Sequence, residues 1–397
     1  MSNFSKLLLS VAALAVTNFA GLPTMAADIS LPEVGSTDFS LKLFKHVAAG
    51  VGKNVLVSPY SAYVALSMTA NGADGTTKAA MAKALGLKGE SLDAANRRNQ
   101  EAMKELNSND KVQLEIANAI YADSKTKFRA TFIDLCAQMY LAEARSEDFA
   151  DPATLGKING WCDKKTHGKI TKILDRLSPV DVMVLLNSVY FKGSWKNAFK
   201  PDETKPHAFT LLAGGTKQVP MMHKTFSTGY LQGDGFQAVS IPYAGERQVM
   251  YVFLPEPGAD FAAFQGQFTS ENWRQWMGGF NACSVNLAMP KYKVEYSKKL
   301  NDPLIAMGMG EAFTGQANFS KMFEHKAGYI GLVLQKTYMD VNEEGTEAAA
   351  VTAVVMRSRA MVMPPRAIDF TVDRPFVVSL ADKETGEILF LGSIVDP

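Results

Sequence analysis

Cysteine is scarce in this sequence: three occur in 397 residues, at Cys136, Cys162 and Cys283. An odd count leaves at least one thiol unpaired, and no two have metal-ligand spacing. A disulfide-stapled scaffold is excluded, so the fold has to stand on its hydrophobic core. Histidine is nearly as rare, at five positions. None lies in an H-E-x-x-H pair, and no G-x-S-x-G elbow or P-loop is present. Two glycine clusters, "GDGFQA" (233–238) and "GMGEAF" (308–313), imitate part of a dinucleotide fingerprint. The first runs into a strand-like segment and the second lacks the third small residue, so both read as turns. No metal and no cofactor is expected. An excess of one charge is also missing: 41 Lys and Arg stand against 40 Asp and Glu. That balance excludes a strong pull toward nucleic acid or an anionic membrane surface. After residue 27, no apolar run is long enough to span a bilayer.

What is present begins with the first 27 residues. Lys6 supplies a positive start, "LLLSVAALAV" (7–16) an apolar core too short to cross a membrane, and "TMAA" (24–27) small residues for cleavage. This is the pattern of a secretory signal, cut after Ala26 or Ala27. A secreted, extracellular or periplasmic protein of residues 28–397 is expected. The composition, 47% hydrophobic and 20% charged, is that of an ordinary globular domain. Helical periodicity fills the first third, as in "TDFSLKLFKHVAA", "SAYVALSMTANGA" and "SLDAANRRNQEAMKELN". Strand-like runs dominate later, including "VMVLLNSVYFKGSW", "RQVMYVFLP" and "SVNLAMPKYKVEYS". The tail reads as a hairpin turning across 382–386. Such segregation predicts an α+β fold in one domain.

One segment fits no simple element. "VNEEGTEAAAVTAVVMRSRAMVMPP" (341–365) joins helix-forming Glu-Ala-Ala-Ala to strand-forming Val-Thr-Ala-Val-Val. A glycine precedes it, a double proline closes it, and Arg357 and Arg359 stand among apolar neighbours.

Five stretches, in order, carry a resemblance. They are "NVLVSPYSAYVALSMTANGADGTTKAAMAKALG", "INGWCDKKTHGKITKIL", "LLNSVYFKGSWKNAFKPDET", "VNEEGTEAAAVT" and "RPFVVSLADKETGEILFLGSIVDP". With them the chain resembles the serpin family from about Ser36 to Pro397. The resemblance implies three β-sheets, about eight or nine helices, and a reactive-centre loop at about 344–364. It implies an inhibitor and not an enzyme. A serine protease attacks the loop, is acylated, and is trapped as the cleaved loop enters the main sheet as a new strand.

The same resemblance assigns residues. Glu343, Glu344, Gly345, Thr346, Glu347, Ala348, Ala349 and Ala350 match the hinge. In the family the scissile residue lies sixteen positions after the first hinge glutamate, which gives Arg359–Ala360, with Arg357 as runner-up. Arginine there implies a trypsin-like partner, held as a covalent acyl complex by a monomeric inhibitor. Ser58, Ser61 and Asn187 match residues that gate strand separation, and Trp195 matches the tryptophan where the loop first enters. Gln335 replaces a histidine usual in that gate; glutamine both donates and accepts.

The residues themselves fit the demand. Period-two alternation puts Thr346, Ala348, Ala350, Thr352 and Val354 on one face, all small or β-branched and uncharged. About a dozen new backbone hydrogen bonds at ~1 kcal/mol net each are worth on the order of 10 kcal/mol, comparable to a whole domain's stability. The alternatives are a non-inhibitory carrier or chaperone of the same family, and a cross-class inhibitor of papain-like cysteine proteases.

Overall fold

The structure is a computed structural model, and it describes residues 36–50, 52–87, 91–106, 111–324, 328–347 and 367–397. Nine α-helices lie among the described residues. They are α1 (Ser36–Ala48), α2 (Pro59–Asn71), α3 (Gly75–Ala84), α4 (Leu92–Leu106), α5 (Ala130–Tyr140), α6 (Pro152–Lys165), α7 (Phe261–Gly266), α8 (Ser270–Met277) and α9 (Asn301–Leu304). Interleaved with them are β1 (Val55–Val57), β2 (Val112–Asp123), β3 (Glu143–Glu147), β4 (Met183–Ser194), β5 (Lys205–Thr210), β6 (Thr216–Gln232), β7 (Phe236–Pro242) and β8 (Gln248–Pro255). Then come β9 (Asn281–Pro290), β10 (Tyr292–Lys299), β11 (Leu332–Val341), β12 (Gly345–Thr346), β13 (Ile368–Thr371), β14 (Phe376–Asp382) and β15 (Ile388–Ile394).

The main sheet has the order β10-β11-β12-β4-β2-β3. The remaining strands form one hydrogen-bonded run, β1-β15-β14-β8-β7-β6-β9-β13 with β5 beside β6, which divides at β6 into a second sheet (β1, β15, β14, β8, β7) and a small third one (β5, β6, β9, β13). The long strand β6 joins these two: its end, Tyr230–Gln232, pairs with β7, while Thr216–Thr210 and Met221–Pro290 pairings bind it to β5 and β9. This is the α+β fold of three sheets that the sequence led us to expect.

Local chemistry explains the key elements. Pro59 opens α2 at its first turn, where the missing N–H costs nothing. Residues 59–70 of α2 are all buried, so it is a core helix with no polar face, packed against β2, β4 and β15. Strand β4 is buried along nearly its whole length because α2 covers one face and α6 with the segment after it covers the other. Ile158, Trp161, Cys162, Ile170, Ile173 and Leu174 form that second cover, over Ala119, Val184, Leu186 and Tyr338 of the sheet.

The polar stretch "EARSE" is the edge strand β3, paired in parallel with β2. An edge strand exposed along part of its length needs no apolar alternation, which is why pattern did not reveal it. The single run "SVNLAMPKYKVEYS" is two strands, β9 and β10, in different sheets. The chain crosses between sheets at Pro290–Lys291.

The β14–β15 turn buries two carboxylates. Asp382 accepts from Arg247 Nε at 2.6 Å and from Gln248 Nε2 at 2.7 Å. Glu387, 2% exposed, accepts from the Ser36 hydroxyl. Burial pushes its pKa from the ordinary 4.5 to about 7; the Ser36 hydrogen bond and the Arg98 charge oppose the rise, and Asp382 adds to it. The folded state therefore holds this proton more tightly than the unfolded chain. The associated stability is complete below pH 4.5 and is lost as pH rises through about 7, in total about 3 kcal/mol at 1.36 kcal/mol per pH unit. Glu387→Gln is expected to match the parent in denaturant unfolding at pH 5 and to exceed its stability at pH 8. Parallel stability–pH curves for the two proteins would refute this.

Candidate functional site: a hinge strand seated in the main sheet

The short strand β12 lies at one end of the main sheet, between β11 and β4. It is antiparallel to both: Thr346 faces Val341 on one side and Gly193 on the other, and Gly345 faces Ser194. Further along, β4 and β11 pair directly and in parallel, from Leu332↔Val184 to Thr337↔Val189. The hinge thus occupies the mouth of a slot that is closed along its remaining length.

Gly345 is required by close approach. A Cβ built there would sit 2.0 Å from the Gly193 carbonyl oxygen and 2.7 Å from the Ser194 Cα, and the residue has φ +156°. Thr346 is fully buried, and its hydroxyl lies 2.6 Å from the Tyr243 hydroxyl. Tyr243 stacks on Trp195 with ring centroids 4.4 Å apart. Trp195 holds the turn twice: its indole N–H donates to the Asn342 carbonyl and its backbone N–H to the Glu344 carbonyl, both at 2.9 Å. The Asn342 side chain closes the turn by accepting from the Glu344 and Gly345 amides.

Glu343 is anchored beside it. Its carboxylate accepts from Lys291 Nζ at 2.7 Å and Thr204 Oγ1 at 2.8 Å, and its carbonyl from the Phe199 amide at 2.8 Å. Burial alone would raise its pKa, but the Lys291 ammonium and the neighbouring hydrogen bonds hold it below the ordinary carboxylate value. Glu347 follows Thr346 with its amide donating to the Asp340 carbonyl at 2.9 Å and its carboxylate paired with Lys169. Ala348, Ala349, Ala350, Arg357, Arg359 and Ala360 lie outside the described residues.

A second buried cluster sits where α2 begins beneath the β4–β11 pairing. Gln335 of β11 donates from Nε2 to the Ser58 carbonyl at 2.8 Å and to Asn187 Oδ1 at 2.6 Å, and accepts from the Ser58 amide at 2.9 Å. Asn187 of β4 donates to the Ser61 hydroxyl and, at 2.6 Å, to Asn118 Oδ1 of β2. All five side chains are at most 3% exposed. One network therefore ties β2, β4, β11 and α2 together beneath the β4–β11 pairing. Glutamine supplies both donor and acceptor there, and it does not titrate.

The structure brings Ser58, Ser61, Asn187 and Gln335 into one cluster, and Glu343, Glu344, Gly345, Thr346, Glu347 and Trp195 into another. Sequence reasoning missed Asn118, Thr204, Tyr243, Lys291 and Lys169. Each lies far along the chain from its partner and carries no local motif. Among the described residues no group of three or more His, Cys, Asp or Glu side chains is placed to hold a metal ion. All three thiols are free; burial pushes Cys136 up to about 12 and Cys162 to about 11, so neither is a ready nucleophile.

Among the described residues, this three-sheet α+β domain seats Gly345–Thr346 at one end of its main sheet, between the parallel strands β4 and β11. The family model described as serpin (serine protease inhibitor) matches residues 34–397, and the chain belongs to that family. An uncharacterized serpin-like protein of Thermococcus kodakarensis is 34% identical over 390 residues, covering 96% of this chain and 90% of that one. The leukocyte elastase inhibitor of Bos taurus is 33% identical over 375 residues, covering 91% and 97%. Among solved structures, the thermophilic serpin tengpin in its native state matches with a TM-score of 0.85 at 31% identity, covering 93% of this chain and 96% of that one.

Proposed function

We propose that the protein inhibits trypsin-like serine endopeptidases by suicide-substrate trapping, with Arg359–Ala360 as the attacked bond. The protease serine adds to the Arg359 carbonyl, the bond to Ala360 breaks, and its nitrogen leaves with a proton as the new amine. The Arg359 ester is left on the protease. The protein is bait in this reading and not a catalyst, it acts as a monomer, and its N-terminal 27 residues direct export.

The observation that carries the reading is the seat of β12. A strand entering behind it replaces one parallel β4–β11 pairing by two antiparallel ones, which gains a full set of ladder hydrogen bonds. Gly345–Thr346 stands where such a strand would start, which supports the reading.

The test is incubation with trypsin followed by denaturing electrophoresis and a thermal scan. A detergent-stable adduct is expected, lacking residues 360–397, together with a rise in the Tm of the loop-cleaved protein by tens of degrees. Cleavage with free protease and an unchanged Tm would instead indicate a non-inhibitory carrier.

A further inference from the structure

We propose that Lys169 is a positioning residue that keeps the hinge seated in the main sheet before cleavage, by holding the Glu347 carboxylate on the sheet's outer face. The inference rests on the trapping reading. Glu347 is the point where the described hinge stops being strand. Its amide still makes the next ladder bond, to Asp340, but its φ of +54° lies in the left-handed region. That conformation is disfavoured for a residue with a Cβ and persists only where surroundings fix it.

The surroundings are specific. Thr346 points inward to Tyr243, so Glu347 projects to the opposite face, which α6 and the segment after it cover. Lys169 lies in that segment. Its ammonium pairs with Glu347 and sits 5.7 Å from the ring centre of Tyr338, while Lys336 of the same strand donates to the Lys172 carbonyl at 2.6 Å. The Glu347 side chain is only 10% exposed. Its other ionisable neighbours are Tyr190 and Tyr338, with Asp340 nearby and Lys293 on the Tyr338 ring.

The direction follows from parity. In an inserted strand Glu347 stays on the outer face beside Lys169; with the hinge withdrawn the pair is lost. Lysine therefore favours every inserted state over the withdrawn one. Without it a nearly buried carboxylate stands uncompensated, and the hinge leaves. Insertion after acylation then starts from outside the sheet, and more acyl-enzyme hydrolyses before it is trapped.

Two measurements on Lys169→Met test this. Cutting after Glu344 and Glu347 by a glutamate-specific protease is expected to quicken at least fivefold. The number of inhibitor molecules consumed per trypsin trapped is expected to rise at least threefold. Lys169→Arg should restore both, and the exchange K169E/E347K should recover part of each. A residue that only stabilised the fold would lower Tm without moving either. Unchanged hinge cutting in Lys169→Met overturns the inference. So does an unchanged stoichiometry where the parent forms the adduct. Failure of the parent to form any adduct would sink the trapping reading instead, and hinge cutting would still judge Lys169.

Discussion

On the trapping reading, Thr346→Arg is expected to turn the protein from an inhibitor into a substrate. Thr346 is fully enclosed between Gly193 and Val341, with Tyr243 as its polar partner. An arginine there has to bury its long side chain and its guanidinium beside the Tyr243 hydroxyl. Burying an unpaired cation costs several kcal/mol, more than two rungs of ladder return at ~1 kcal/mol each. The hinge must then leave the sheet, and insertion must carry the arginine past Tyr243 before any further rung forms. Hydrolysis of the acyl-enzyme overtakes insertion. The number of inhibitor molecules consumed per protease trapped should rise at least tenfold, and cleavage should raise Tm far less than in the parent. Thr346→Ser keeps size and hydroxyl and should behave as the parent does. Unchanged stoichiometry in Thr346→Arg would show that the seat of β12 is not on the route to trapping.

Arg359→Ala is expected to cut the association rate with trypsin about a thousandfold. A trypsin-like primary pocket holds a buried aspartate that an arginine neutralises, and a truncated side chain leaves that acid unpaired. A loss of about 4 kcal/mol corresponds to roughly a thousandfold. Arg357→Ala should change the rate no more than a few fold, because a residue two positions away does not enter that pocket. Mass spectrometry of the released C-terminal peptide identifies the bond directly. A peptide beginning at Ser358 would move the site to Arg357, and the two effects would exchange.

Much of this was legible because it is written in local chemistry. The helix carrying "SAYVALSMTANGA" and the apolar hairpin of β14 and β15 follow from propensity and period. The requirement for small uncharged residues at alternate hinge positions follows from the pleat. Other features escaped for definite reasons. The strand β3 carries no alternation because it is an edge. The break between β9 and β10 is a change of sheet within one continuous apolar pattern. The partners of the hinge come from distant parts of the chain: Tyr243 from the segment after β7, Lys291 from between β9 and β10, Lys169 from after α6.

The sequence by itself determined the family, the α+β class and the hinge composition, since motif order, periodicity and side-chain size are properties of the chain read in one dimension. Only the tertiary structure decided that Gly345 and Thr346 already sit between β4 and β11, that Gln335 joins Ser58 to Asn187, and that Lys169 meets Glu347. Those depend on which strands lie side by side, and strand neighbours in a sheet are fixed by long-range packing and not by the residues next to them in the chain.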